Sequence, residues 1–207
     1  MPKVIRAHFV IEDEIDGEKI LKNIERYGRV CYKSEDKITA DSARRFIRRI
    51  IDSGHESVIE HEKVTVRVIC DRGVTHEIVR HRIASYSQES TRYCDYHKSG
   101  EISVIYPLFF EEESEKYRAW QEAMVTCENF YNRLRSLGAS PQEARSVLPN
   151  SLKTEIVITY NLREWRHFFR LRCSSRAHPQ MREVAIPLLR EFQRRIPVIF
   201  DDILPEK

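Results

Sequence analysis

The chain has 207 residues, 41% hydrophobic and 32% charged, enough for one ordinary core and too apolar to be disordered. A net charge of +3 is too small for nucleic-acid binding by bulk electrostatics. Arginines instead concentrate in residues 44–49, 80–92 and 163–182, which favours small anionic ligands. The cysteines Cys31, Cys70, Cys94, Cys127 and Cys173 include no C-x-x-C pair, so neither a zinc ribbon nor a redox dithiol is indicated. Cys70 and Cys127 read as buried small hydrophobes, and the pattern suits a reducing cytosol. Residues 1–6 lack a signal-peptide core and no apolar run approaches membrane-spanning length, so the expectation is a soluble, cytoplasmic protein without a membrane partner.

In chain order, residues 4–11 read as a strand and 18–27 as a short helix ended by Gly28. All six glycines are expected at element boundaries. None forms a G-x-G-x-x-G arrangement, which excludes Rossmann-type dinucleotide binding. Residues 42–52 form an amphipathic helix with Phe46, Ile47, Ile50 and Ile51 as its apolar stripe and Arg44, Arg45, Arg48 and Arg49 on its wet face. Val64, Val66 and Val68 alternate with Thr65, Arg67 and Ile69, the period of a strand with one buried face. Asp71-Arg72-Gly73 reads as a turn, residues 74–80 as a short helix, and residues 93–97 and 102–106 as extended.

Residues 112–137 form a long helix whose stripe of Tyr117, Trp120, Met124, Cys127, Phe130, Tyr131 and Leu134 suits packing within the subunit or against a partner. Ser140, Pro141 and Glu143 make a capping box for a helix that carries Arg145 and stops at Pro149. Residues 152–160 are a strand with Thr154, Ile156, Ile158 and Tyr160 on one face. Asn161 and Glu164 form a second capping box, opening a helix on which Arg163 and His167 share a face, and a last helix to about residue 196 reads as packing. Strands and helices are intermixed without βα alternation, repeat or linker. The expectation is a single α+β domain over residues 1–207, with a mixed or antiparallel sheet and long helices.

One stretch stands out chemically. Residues 80–93 hold Arg80, His81, Arg82, Ser85, Tyr86, Ser87, Ser90, Arg92 and Tyr93. Its cations are all arginines and they run into hydroxyls, which suits multi-donor recognition of phosphate or carboxylate. Arg80 and Arg82 would meet one anion only if the preceding helix ends there. His55, His61, His76 and His81 have no metal-site spacing, so no metal is expected.

The stretch resembles the R-H-R-x-x-S-x-N-x-x-S-x-R motif of flavin-dependent thymidylate synthases, which methylate dUMP through a reduced flavin. Arg80, His81, Arg82, Ser85, Ser90 and Arg92 match; Ser87 replaces the Asn, and Gln88 follows where Glu is common. Residues 54–61 are similar to the family's G-H-x-S/T-x-x-E-H, residues 143–149 to E-x-A-R-x-V-L-P, and 161–172 to N-x-R with an aromatic helix ending L-R. Residues 177–183, with His178-Pro179-Gln180-Met181, depart from A-Q-W-E-I-R.

The resemblance implies methylation of dUMP to dTMP, with methylenetetrahydrofolate as carbon donor and FAD reduced by NADPH as hydride source. It places Glu77, Gln88, Ser90, Thr91, Arg92, Arg145 and Arg172 around dUMP, with fork-shaped cations for the phosphate. It places Ser57, Arg80, His81, Arg82, Gln88, Asn161, Arg163 and His167 around FAD, and His55, Glu60 and Tyr93 on the folate side or behind the site. Arg172 and Ser90 take the catalytic positions: Arg172 stabilises enolate-like charge on the uracil. Ser90 lacks a neighbouring base and is assigned to holding dUMP. Serine at position 87 is shorter than the family's asparagine, so its contact is expected to shift or to run through water. Cys94 is the one thiol close to the motif. The family assembles as a homotetramer with active sites shared between subunits. Two other readings remain open: a flavin- or nucleotide-binding protein without methyl transfer, and an RNA/DNA-binding module, although no RRM, KH or zinc signature is present.

Overall fold

The computed structural model describes residues 1–98 and 100–205. Its strands are β1 (Lys3–Ile5), β2 (His8–Ile11), β3 (Lys63–Asp71), β4 (Ala84–Gln88), β5 (Ser103–Ile105) and β6 (Lys153–Asn161). The helices are α1 (Gly17–Val30), α2 (Ser42–Asp52), α3 (Arg72–Ile78), α4 (Glu115–Ser136), α5 (Pro141–Ala144), α6 (Leu162–Arg172) and α7 (Pro179–Arg195). Short 3-10 turns occur at Glu35–Lys37, Glu56–His61 and Arg145–Val147. β1 pairs with β5 in parallel, Val4 opposite Val104. A four-stranded sheet has the order β2-β3-β6-β4, and Val104 and Leu152 form an isolated antiparallel bridge. The fold is α+β with mixed strand directions, as expected.

By contacts the chain resolves into two compact units. Among the described residues, the first comprises 1–9, 67–80, 86–98 and 100–157; the second comprises 10–66, 81–85 and 158–205. In the first, Ile102, Val104, Met124 and Leu152 form a core against which Tyr96, Trp120 and Leu148 pack. The stripe of α4 is only partly used: Met124 and Tyr131 are buried, Cys127 is half-buried rather than buried, and Phe130 is 50% exposed. A buried carboxylate interrupts that stripe, since Glu128 accepts the Ile102 N–H at 2.9 Å.

In the second unit, the stripe of α2 buries Phe46, Ile47, Ile50 and Ile51 as the sequence predicts. Leu21 and Ile24 of α1 are fully buried. An aromatic cluster of Trp165, Phe168, Phe169, Phe192 and Phe200 joins α6 to α7, with ring centroids 5.0 to 5.7 Å apart. Each such ring contributes about 1.5–3 kcal/mol through burial. Beside it lies Arg166, with no exposed side-chain surface, which pairs with Asp202 at 2.7 and 2.8 Å and with Glu56 at 3.0 Å.

The structure departs from the sequence-based reading at several points. Residues 4–11 are two strands, because β1 pairs with β5 while β2 joins the larger sheet. Helix α1 continues past Gly28 to Val30. Gly28 is a packing glycine: a Cβ there would lie 2.7 Å from the Phe46 ring. Asp71-Arg72-Gly73 is no turn, since Asp71 ends β3 and caps α3 directly, accepting the Val74 N–H at 2.7 Å. Residues 93–97 form no strand: turns flank Cys94 and Asp95, because the Ser90 carbonyl accepts from both Tyr93 and Cys94 and the Asp95 side chain accepts from His97. The helix after Ser140 has only four residues before tightening to the 3-10 turn.

Two expectations follow. At Gly17 an added Cβ would sit 2.0 Å from the Arg195 carbonyl oxygen, a backbone atom that cannot swing away. Gly17→Ala is expected to lower stability by about 2 kcal/mol in urea unfolding despite alanine's better helix propensity; unchanged stability would contradict that contact. Burial pushes the Asp202 carboxyl up, but the hydrogen bonds and charge of Arg166, with Arg170, outweigh it and hold it below the usual carboxylate range. Its stabilisation is present above the ordinary aspartate value and is lost as pH falls through the depressed folded value. Asp202→Asn should therefore cost about 1 kcal/mol at neutral pH, Asp202 being partly exposed. The gap between variant and wild type should close on acidification.

Candidate active site

The motif begins where α3 ends, at Ile78, so Arg80 and Arg82 lie beyond the helix on irregular chain and both are exposed. In the first unit the motif continues through β4 into a turn. Tyr86 donates its hydroxyl to the Ile78 carbonyl at 2.8 Å, tying β4 to the end of α3. Ser87 points outward and is exposed. Gln88 turns inward: its amide nitrogen donates to the Thr75 hydroxyl at 3.0 Å and to the Thr154 hydroxyl at 3.3 Å. That geometry gives Gln88 an interior role; a glutamate there would instead accept from the same two hydroxyls.

After β4, Glu89 donates its N–H to the Glu155 carbonyl at 2.9 Å, and residues 91–93 form a turn. The Ser90 hydroxyl accepts the Arg92 N–H at 3.3 Å. Thr91 is buried, and Arg145, 54 residues on, reaches its hydroxyl at 3.4 Å. Ser90, Thr91, Arg92 and Arg145 thus form a group rich in hydroxyls and guanidinium donors, suited to a phosphate. Tyr93 is 78% exposed, with the Arg92 guanidinium 5.5 Å from its ring centroid. Glu77 is half-buried on α3.

A network behind this turn was not singled out by spacing. The Tyr96 hydroxyl donates to Glu89 at 2.6 Å, and Lys153 bridges Glu89 at 3.0 Å and Glu155 at 2.6 Å. Burial and the Glu89 carboxylate push the Tyr96 phenol up, so it remains a donor. These residues brace the turn from the sheet. Lys153 and Glu155 are two apart on β6, but no short-range pattern marks the pairing of Lys153 with Glu89, 64 residues away.

The second unit holds the other group. Asn161 ends β6 and caps α6, accepting the Glu164 N–H at 2.8 Å. The capping box is only half made, because the Glu164 carboxylate leaves the helix end and accepts from His81 Nδ1 at 2.9 Å. Arg172, at the far end of α6, donates its Nε–H to His81 Nε2 at 3.2 Å. Since Nε2 accepts from a guanidinium, the proton of a neutral imidazole resides on Nδ1 and is given to Glu164. Burial, the largest effect, lowers the His81 pKa; the Glu164 hydrogen bond raises it, Arg172 lowers it, and the net position is below the ordinary histidine value. His81 is therefore neutral at physiological pH.

His81, Glu164 and His167 place ligand atoms within 4.8 Å of one another, a metal-binding composition invisible in the linear spacing. The single lone pair of the His81 ring already meets Arg172, so a cation would have to displace that guanidinium. Arg163, exposed on α6, pairs with Glu60 at 2.5 Å, which explains Glu60 structurally. Ser57 and His55 are exposed at the 3-10 turn before β3. His55 also lines a cleft of about 400 Å³ with Arg29, Tyr32, Lys37, Phe46 and Arg49. In that cleft Arg29 stacks over the Phe46 ring at 4.5 Å.

Of the sequence-predicted residues, Arg145 gathers with the 90–92 turn and Arg172 with His81, whereas Arg163 pairs with Glu60, Gln88 turns to Thr75 and Thr154, and Arg80, Arg82, Ser57 and His55 are exposed outside both groups. Glu164 is the functional candidate that spacing missed, because its place three residues after Asn161 already had a capping explanation. No helix among the described residues is long and apolar enough to cross a membrane.

Comparison with known proteins identifies the family. A family model described as "Thymidylate synthase complementing protein" matches residues 15–198. The chain is 36% identical over 184 residues to a flavin-dependent thymidylate synthase of Pyrococcus furiosus, covering 88% of this chain and 73% of that one. It is 37% identical over 184 residues to the Geobacter sulfurreducens protein of the same name, covering 86% and 79%. Over 208 residues it is 35% identical to that of Corynebacterium glutamicum, covering 91% and 81%. The fold is also that of the UMP/dUMP methylase PolB from Streptomyces cacaoi, solved with 5-Br UMP, with a TM-score of 0.78 at 21% identity over 97% of this chain and 95% of that one. A family match over most of its length, with relatives above a third identical, means that this chain belongs to the flavin-dependent thymidylate synthase family.

Proposed function

We propose that this protein is a cytosolic flavin-dependent thymidylate synthase that converts dUMP to dTMP with methylenetetrahydrofolate as carbon donor. Bound FAD, reduced by NADPH, supplies the hydride. The observation that carries the reading is the contact of Arg172 with His81, which joins two family segments 91 residues apart. The donor set fits a flavin dinucleotide: the cleft beside His55 offers Lys37, Arg49 and the Tyr32 ring to an anionic, aromatic ligand, while Arg29 is held by Glu25 over the Phe46 ring. Arg80, Arg82, Ser57, Asn161, Arg163 and His167 are the remaining candidates for that cofactor.

The chain's own residues divide the work by chemistry. Arg92 and Arg145, with the hydroxyls of Ser90 and Thr91, hold the dUMP phosphate and so fix the uracil end. Arg172 presents a permanent cation where charge accumulates on the uracil carbonyls as C5 becomes nucleophilic. The Ser90 hydroxyl accepts a backbone N–H, and among the described residues no imidazole or carboxylate hydrogen-bonds to it. Ser90 accordingly binds dUMP rather than attacking it. The exposed Phe130 on α4 supports assembly as the family's homotetramer, with sites completed between subunits.

The purified protein is expected to be yellow with near-stoichiometric FAD, to change its visible spectrum on adding dUMP, and to form dTMP. Arg172→Ala should retain flavin and lose about 100-fold or more in kcat/KM for dUMP. A protein that takes up no FAD and ignores dUMP would overturn the proposal.

A further inference from the structure

Glu164 has an anchoring place that helix capping does not explain. Its backbone N–H satisfies Asn161, while its carboxylate, with the residue only 8% exposed, turns to His81. His81 is also buried, hemmed by Phe168 at 5.1 Å, His167 at 5.4 Å and Tyr160 at 5.9 Å between ring centroids. Glu164 and Arg172 lie eight residues apart on α6, about 12 Å along the axis, too far for a direct ion pair. The imidazole is the strut that joins them.

We propose that Glu164 is a positioning residue for methyl transfer: it holds His81 as the Nδ1–H tautomer, whose Nε2 lone pair then orients the Arg172 guanidinium toward the uracil. This rests on the thymidylate synthase reading for the role, though not for the geometry. Without the carboxylate, the His81 proton is free to move to Nε2, where it faces the Arg172 Nε–H as donor against donor. The guanidinium would then turn away, and the charge it is there to stabilise would lose its partner. The neutral state of His81 serves the same end, since an imidazolium would offer Arg172 no acceptor.

The test uses the full-length, FAD-loaded protein and two variants. Glu164→Gln keeps an oxygen that accepts from Nδ1–H and should leave kcat/KM for dUMP within about threefold of wild type. Glu164→Ala should reduce it about tenfold or more while FAD content is retained. In an Arg172→Ala background, Glu164→Ala should add nothing, because Glu164 acts only through that arginine. Histidine side-chain 15N spectra of the wild type, with the His81 signal identified by its loss in His81→Asn, should show the proton on Nδ1. Full activity in Glu164→Ala, multiplicative losses in the double variant, or a His81 proton on Nε2 would each overturn the relay. The spectra decide even if Glu164→Ala does not fold. A wild type that makes no dTMP while His81 carries its proton on Nδ1 overturns the methyl-transfer role and leaves the relay geometry standing.

Discussion

Two strands of this protein pass into helices with no residue between them, and the candidate chemistry hangs on those junctions. At the end of β3 Asp71 caps α3, and at the end of β6 Asn161 caps α6, each through a side-chain oxygen on the N–H three residues ahead. A capped junction leaves little freedom in the direction of the helix that follows. Helix α3 therefore delivers the start of the arginine-rich motif to a fixed place, and α6 delivers Glu164, His167 and Arg172 in a fixed order.

Electrostatics then sorts the arginines. Arg166 faces inward and is matched by Glu56 and Asp202, so its charge is spent on structure, and Arg163 is matched by Glu60. Arg172 donates its Nε–H to a neutral imidazole, a contact that orients it and adds no opposing charge of its own. A carboxylate in direct contact would quench the field that an anionic transition state needs, whereas one placed behind a histidine fixes geometry at longer range. Arg145 similarly meets a hydroxyl within its unit.

The capping signals of Ser140 and Asn161, the stripe of α2, the alternation of β3 and β6 and the motif residues were legible in the sequence, because each depends on neighbours within a few positions. Failures have equally specific causes. Gly28 reads as a helix stop, but it is the space that Phe46 occupies, and the side chain that claims that space comes from another helix. Residues 93–97 look extended until the Ser90 carbonyl collects two amides. Glu164 looks like half of a capping box because its true partner is 83 residues away.

By itself, the sequence determined the α+β class, the longer helices and strands, the family and the residue types that a nucleotide and a flavin would require. These rest on periodicity, capping and motif spacing, which are properties of short windows of chain. The tertiary structure alone decided which arginine is buried and which is presented, which way Gln88 and Glu164 turn, and which nitrogen of His81 carries the proton. Those outcomes depend on burial and on hydrogen-bond partners brought together across tens of residues, and no local pattern encodes the partner.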